Sequence, residues 1–160
     1  MSLTPDAIAM RLHDLGKALP DTAHPRALFR PWRRSGALLI LSGQVNERDG
    51  TIIRPGTVGS DMSVEEARGH AETCLLNLLF HVRAACDGQL DRVACLLRLG
   101  GFVAAVPGFA DAPLVINAAS ELLIGLYGQD CGAHARTAIA VTGLPGGAPV
   151  EIDAMLEILP

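Results

Sequence analysis

Apolar residues recur along this chain at two periods, one of three to four residues and one of two, and their order sets the elements to expect. Ile8, Leu12 and Leu15 share one face of a short amphipathic helix that Thr4 and Pro5 would open and Gly16 would close. Residues 20–31, rich in Pro and His, predict irregular backbone, and residues 37–42 form an apolar run short enough for a buried strand. Asp49-Gly50 marks a tight turn between Gln44-Val45-Asn46 and Thr51-Ile52-Ile53.

The clearest helix signal begins at Ser63, where Ser63-Val64-Glu65-Glu66 is a capping box in which each end residue can satisfy the other's backbone donor. Val64, Ala67, Ala71, Cys74, Leu75, Leu78, Val82 and Ala85 then keep one face apolar until Asp87-Gly88 ends the run. Residues 90–106 read as a long strand, with a bend or bulge expected at Gly100-Gly101. Asp111 and Pro113 open a second helix with Val115, Ala118, Ala119, Leu122 and Leu126 on its buried face, and Gly128 is the expected stop. Two strands close the chain: residues 137–142, and residues 150–158, which alternate Val150, Ile152, Ala154, Leu156 and Ile158 against Glu151, Asp153, Met155 and Glu157. Strands, helix, strand, helix, strands is the order of a sheet with helices on one face, whose other face needs separate cover.

Composition adds a partner for that face. A chain of 160 residues is one domain and can bury about 68–70% of its unfolded surface without metal or disulfide. Its hydrophobic share of 49% against 19% charged is a surplus of the kind that covers a subunit interface. No run reaches a membrane span and the start lacks the features of a signal peptide, so a cytoplasmic protein is expected, with no membrane partner. The net charge of −4, with Arg30, Arg33 and Arg34 as the sole basic cluster, disfavours nucleic acid as a partner. Cys74, Cys86, Cys95 and Cys131 have no metal-ligand spacing and read as reduced packing residues, so neither metal nor cofactor is implied.

Chemistry concentrates near the end. Arg136 stands at the mouth of one strand, and Glu151 and Asp153 lie on the next. A guanidinium donates two parallel hydrogen bonds to a carboxylate, which points to a small organic acid as ligand. His134 beside it could act as acid or base, although a loop histidine near a strand start is more often incidental.

Four features in order resemble the RidA family, also called YjgF. They are Ser42-Gly43-Gln44 at a strand end, Val115-Ile116-Asn117 in the second helix, Arg136 opening a strand, and Leu144-Pro145 followed by Val150-Glu151-Ile152-Asp153. The likeness spans residues 30–158 and is greatest to the longer, chorismate mutase-like branch, whose extra N-terminal helix corresponds to residues 5–16. It divides the single domain 1–160 into an N-terminal helical extension, 1–25, and a RidA-like core, 26–160. The resemblance implies an α+β fold of the chorismate mutase type, with a mixed sheet backed by two helices, assembled as a homotrimer with sites in clefts between subunits. It implies hydrolysis of reactive 2-imino or enamine acids to 2-keto acid and ammonia, without cofactor.

Carried over, Arg136 holds the substrate carboxylate, Glu151 handles the water, and Asn117 and Gly43 line the site. The sequence also departs from the family's deaminases. Ala138 stands where they carry a cysteine, and Phe29 and Trp32 are the nearest aromatics to a substrate-contacting tyrosine, with Phe29 taken as the substrate-facing one. Those two losses favour a rival reading, a non-catalytic trimer that binds small carboxylates in a regulatory role.

Overall fold

The computed structural model describes residues 6–21 and 28–159. Helix α1 (Ala7–Asp14) is followed by strands β1 (Trp32–Ser35), β2 (Leu38–Val45), β3 (Glu47–Arg48) and β4 (Thr51–Ile52). Helix α2 (Val64–Ala85), strand β5 (Val93–Ala104), helix α3 (Ala112–Gly132) and strands β6 (Ala135–Val141) and β7 (Val150–Ile158) complete the chain. Five strands form one mixed sheet in the order β1-β2-β7-β5-β6, antiparallel except for the parallel pair β5 and β6. Helix α3 supplies the crossover that a parallel pair requires. The small β3-β4 hairpin turns at Asp49-Gly50, both with positive φ, as the sequence predicts.

Both long helices cover one face of this sheet, α2 over β2 and β7, α3 over β5 and β6. Leu39, Leu41, Leu96, Leu99, Val103, Ile152, Ala154 and Leu156 point into that layer and meet Cys74, Leu75, Leu78, Ile116, Ala119 and Leu123 from the helices. The capping box forms in full: Ser63 Oγ accepts from the Glu66 amide and the Glu66 carboxylate accepts from the Ser63 amide, which holds the Glu66 carboxyl below its ordinary range. On the opposite face Ile40 and Ile139 are 39% and 46% exposed, with Phe102 and Met155 half-buried between them. The two-layer α+β architecture expected from the element order is therefore present, and the second sheet face is uncovered in the single chain.

Three local expectations are corrected. Helix α1 is capped by Asp6, whose carboxylate accepts from the Ala9 amide, while Thr4 and Pro5 lie outside the described residues. Leu15 is exposed, because the helix ends at Asp14 and only Ile8 and Leu12 reach the core. Strand β5 runs straight through Gly100-Gly101, and its register shifts fall earlier, between Val93 and Cys95 and between Leu96 and Arg98. Asp111 is the N-cap of α3 ahead of Pro113, as expected, although without a side-chain cap bond, and Gly128, at φ 79° and ψ 171°, breaks the helix where a stop was expected, with a further turn continuing to Gly132. That turn folds back so closely that a Cβ on Gly132 would lie 2.5 Å from the Leu123 carbonyl oxygen.

Candidate functional site

The expected site residues divide into two groups on opposite faces of the sheet. Arg136 opens the edge strand β6 opposite Leu99, whose side chain is buried beneath the helices, so the guanidinium lies on the helix side. There Arg136 Nη1 donates to Asn117 Oδ1 at 2.8 Å and to Ser120 Oγ at 3.1 Å. Asn117 and Ser120 are three residues apart on α3 and so share a face. With Nη1 committed to the helix, no bond from Nε or Nη2 exists among the described residues. The free Nε and Nη2 edge is the fork that grips a carboxylate with two parallel bonds. His134 completes this group: its Nδ1 lies 2.7 Å from the Gly132 carbonyl and its Nε2 3.1 Å from Ser120 Oγ.

Glu151 and Asp153 face the other way, on the uncovered side of β7 opposite Phe102 and Gly100. Their surroundings explain two glycines. A Cβ on Gly43 or on Gly100 would fall within the space taken by the Glu151 or Asp153 carboxylate respectively, so each carboxylate lies down across a glycine of the neighbouring strand. Gly43 also sits within a register shift between β2 and β7, where Leu41 pairs with Ala154 but Gln44 with Ile152, a bulge of the kind that re-aims side chains beside sites. Arg98 Nη1 donates to Asp153 Oδ1 at 2.8 Å. Partial burial, and then the charge of Asp153, push the Glu151 carboxyl above its ordinary range, so it holds a proton more readily than a free glutamate.

Phe29 is exposed and precedes β1, at the far edge of the sheet from Arg136. Trp32 starts β1, half-buried against the core. Within one chain, then, Arg136 and Asn117 come together, Glu151 and Gly43 come together, and Phe29 joins neither pair. The partners of Arg136 within the chain are the neutral side chains of Asn117 and Ser120. Ala138, two residues beyond Arg136, packs against the core and offers no polar atom. Ser120 and Arg98 were missed. Ser120 was detectable as the residue one helical turn beyond Asn117, but Arg98 stands opposite Met155 and reaches Asp153 diagonally, a pairing no single-strand pattern discloses.

All four cysteines are free; Cys74 donates its thiol to the Val150 carbonyl, and burial, with Glu151 nearby, pushes its titration up. Among the described residues no group of three or more His, Cys, Asp or Glu side chains is disposed to hold a metal ion, and no helix is long and apolar enough to cross a membrane.

A mixed sheet with two long helices on one face and an arginine at the head of the free edge strand defines a chorismate mutase-like α+β protein. Residues 9–148 match the family described as "YjgF/chorismate mutase-like, putative endoribonuclease", and the chain belongs to that family. It is 36% identical over 151 residues to Protein TCP17 of Trypanosoma cruzi, covering 94% of each chain. It is 43% identical to Atu1372 of Agrobacterium tumefaciens, a protein of unknown function whose crystal structure superposes with a TM-score of 0.88 over 96% of this chain and 95% of that one. A Shewanella oneidensis protein bearing the same endoribonuclease description is 26% identical, with a TM-score of 0.89 over 95% and 99% of the two chains.

Proposed function

We propose that this protein binds a small carboxylate-bearing metabolite on the free edge of Arg136 and hydrolyses its imine or enamine form to a 2-keto acid and ammonia. The observation that carries this reading is the state of the guanidinium: Nη1 is pinned by Asn117 and Ser120, and the bidentate edge is left without a partner among the described residues. An arginine held in one orientation before ligand arrives loses less freedom on binding than a mobile one.

The chemistry asks for little else. Water must add to the imine carbon with the carboxylate fixed, and a group must exchange protons as ammonia departs. Glu151, raised by burial, suits that exchange, but it lies on the opposite face of its own sheet from Arg136. Assembly as a homotrimer through the uncovered face, with Ile40, Phe102, Met155 and Ile139 buried between copies, would set the Glu151 of one subunit beside the Arg136 of the next. The net charge of −4 weighs against the ribonuclease activity in the family's description.

A second reading, a non-catalytic regulatory trimer sensing keto acids through the same arginine, draws support from Ala138, which leaves the position beside Arg136 without a thiol. Two measurements divide the readings: turnover of 2-imino acids generated in place by an amino acid oxidase, and thermal shift with pyruvate, 2-oxobutanoate and benzoate. Turnover that is lost in Arg136→Ala while the assembly persists supports catalysis. Stabilisation without turnover supports the sensor, and neither effect removes Arg136 from the function.

A further inference from the structure

Strand β6 is one edge of the five-stranded sheet, and its outer side has no strand beside it among the described residues. The Val141 carbonyl accepts from the Ala105 amide, so Val141 turns its backbone groups inward toward β5. Successive residues of a strand turn these groups to alternate sides, so Ile139 and Thr137 also face β5. The N–H and C=O groups of Arg136, Ala138 and Ala140 therefore point away from the sheet, and no hydrogen bond reaches them from any other described residue.

An unpaired edge is a template for a further strand unless something guards it. The opposite edge is guarded: β1 has four residues, and two of them are Arg33 and Arg34. In contrast, β6 has seven residues, holds neither Pro nor Lys, and carries small side chains at Ala135, Thr137, Ala138 and Ala140. Its one charged side chain is Arg136. The guanidinium turns Nη1 inward to Asn117 and Ser120 of α3, which packs over β5 and β6, so the Nε and Nη2 edge turns the other way, out past the strand.

That charge complements one end of an added strand. A segment running antiparallel to β6 ends beside Arg136, whereas a parallel one ends beside Val141, away from the guanidinium. With its last residue opposite Arg136, the segment's terminal carboxylate meets both the outward Arg136 amide and the fork, and the residues two and four before it pair with Ala138 and Ala140. Its next-to-last-but-two side chain then lies beside Ile139, which is 46% exposed. Resting on the reading of Arg136 as a carboxylate receptor, we propose that β6 and Arg136 together dock the C-terminal end of an extended polypeptide, which joins the sheet as a further antiparallel strand. Main-chain bonds along the edge supply affinity with little demand on sequence, and the arginine sets the requirement for a free terminus.

The test is calorimetric titration of the full-length protein with the peptide acetyl-Thr-Val-Thr-Val-Thr, with pyruvate as the small-carboxylate reference. The free acid is expected to bind about 10-fold or more tightly than pyruvate and than its own C-terminal amide, the scale of a charged hydrogen bond. N-methylation of the third peptide residue, whose amide faces β6, should weaken binding about 10-fold or more, while N-methylation of the fourth, whose amide faces away, should change it by less than about 3-fold. In the protein, Ala138→Pro removes an outward amide hydrogen and leaves the ladder to β5 intact, so peptide affinity should fall while pyruvate affinity holds. If acid and amide bind alike, if the two N-methyl peptides bind alike, or if the acid binds no more tightly than pyruvate, the inference is overturned and the metabolite reading stands. If Ala138→Pro lowers the mass of the assembly in sedimentation, a second copy already occupies the edge, and the inference is overturned likewise. If the acid peptide binds with the expected methylation pattern and pyruvate does not bind, the metabolite reading fails and the docking strand stands.

Discussion

Gly101 of β5 leaves room for Ile116 of α3, one residue before Asn117, and Gly101→Ala tests whether that close approach holds the site together. A Cβ there would lie 2.5, 2.7 and 2.8 Å from Cγ1, Cδ1 and Cγ2 of Ile116. Ordinary contact begins at 3.4 Å, so Ile116, fully buried, must retreat by about 0.9 Å or leave its rotamer, an overpacking that costs about 1–3 kcal/mol. Ile116 is followed directly by Asn117 and, one turn on, by Ser120. A retreat of α3 would therefore stretch the 2.8 and 3.1 Å bonds to Arg136 to the limit of hydrogen bonding.

Urea unfolding should show a loss of about 1–3 kcal/mol, and calorimetry should show weaker pyruvate binding. Ile116→Ala should be destabilising alone but should relieve Gly101→Ala, with a coupling of about 1 kcal/mol or more in the double-mutant cycle. Additivity within about 0.5 kcal/mol, or unchanged pyruvate affinity in Gly101→Ala, would show that the Gly101–Ile116 contact does not set the position of the Arg136 partners.

Two further perturbations have definite outcomes. Asp91 accepts from the Ala7 and Ile8 amides at 2.8 and 2.9 Å while Asp6 accepts from the Leu90 amide at 2.6 Å, a reciprocal exchange that docks the eight-residue α1. A helix that short does not persist alone, so Asp91→Ala should release α1 at a cost of about 1–2 kcal/mol, seen as fast hydrogen exchange confined to α1 with the sheet still protected. Burial alone would raise the Asp91 carboxyl, but the Ile8 and Ala7 amides outweigh it and lower it overall, so the wild-type latch should hold above the ordinary aspartate range and loosen as pH falls through the depressed value.

Glu151 behaves in the opposite sense. Burial and then Asp153 raise it, so the folded state binds its proton more tightly, and its contribution is present at low pH and lost as pH rises through the raised value. Glu151→Gln should therefore gain stability relative to the wild type as pH rises from the ordinary glutamate range through the raised value, measured by urea midpoints across a pH series; a pH-independent difference would contradict this.

What could be read from the chain was local. The capping box at Ser63, the Asp49-Gly50 turn and the alternation of β7 each depend on a few neighbouring residues, and each stands where expected. Gly100 and Gly101 misled because their cause is not local: one makes room for Asp153 from β7 and the other for Ile116 from α3. Gly128 breaks α3 where a stop was expected, but nothing in sequence announces the extra turn that folds back on Leu123.

The site was legible as a set of residues and illegible as a geometry. Alternation tells which residues of one strand share a side, but whether Arg136 and Glu151 share a side depends on how β6, β5 and β7 register. Arg136 pairs with Leu99 on the helix side, and Glu151 with Phe102 on the other.

Calorimetric titration of the wild type and Arg136→Lys with pyruvate and pyruvamide asks whether the free edge of Arg136 receives a small carboxylate. Lysine keeps the charge but not the fork, so pyruvate affinity should fall about 10-fold or more, the scale of a charged hydrogen bond, with the assembly unchanged in mass, and pyruvamide should bind neither protein well. Equal pyruvate affinity in both proteins, or pyruvamide binding the wild type as tightly as pyruvate, would contradict it.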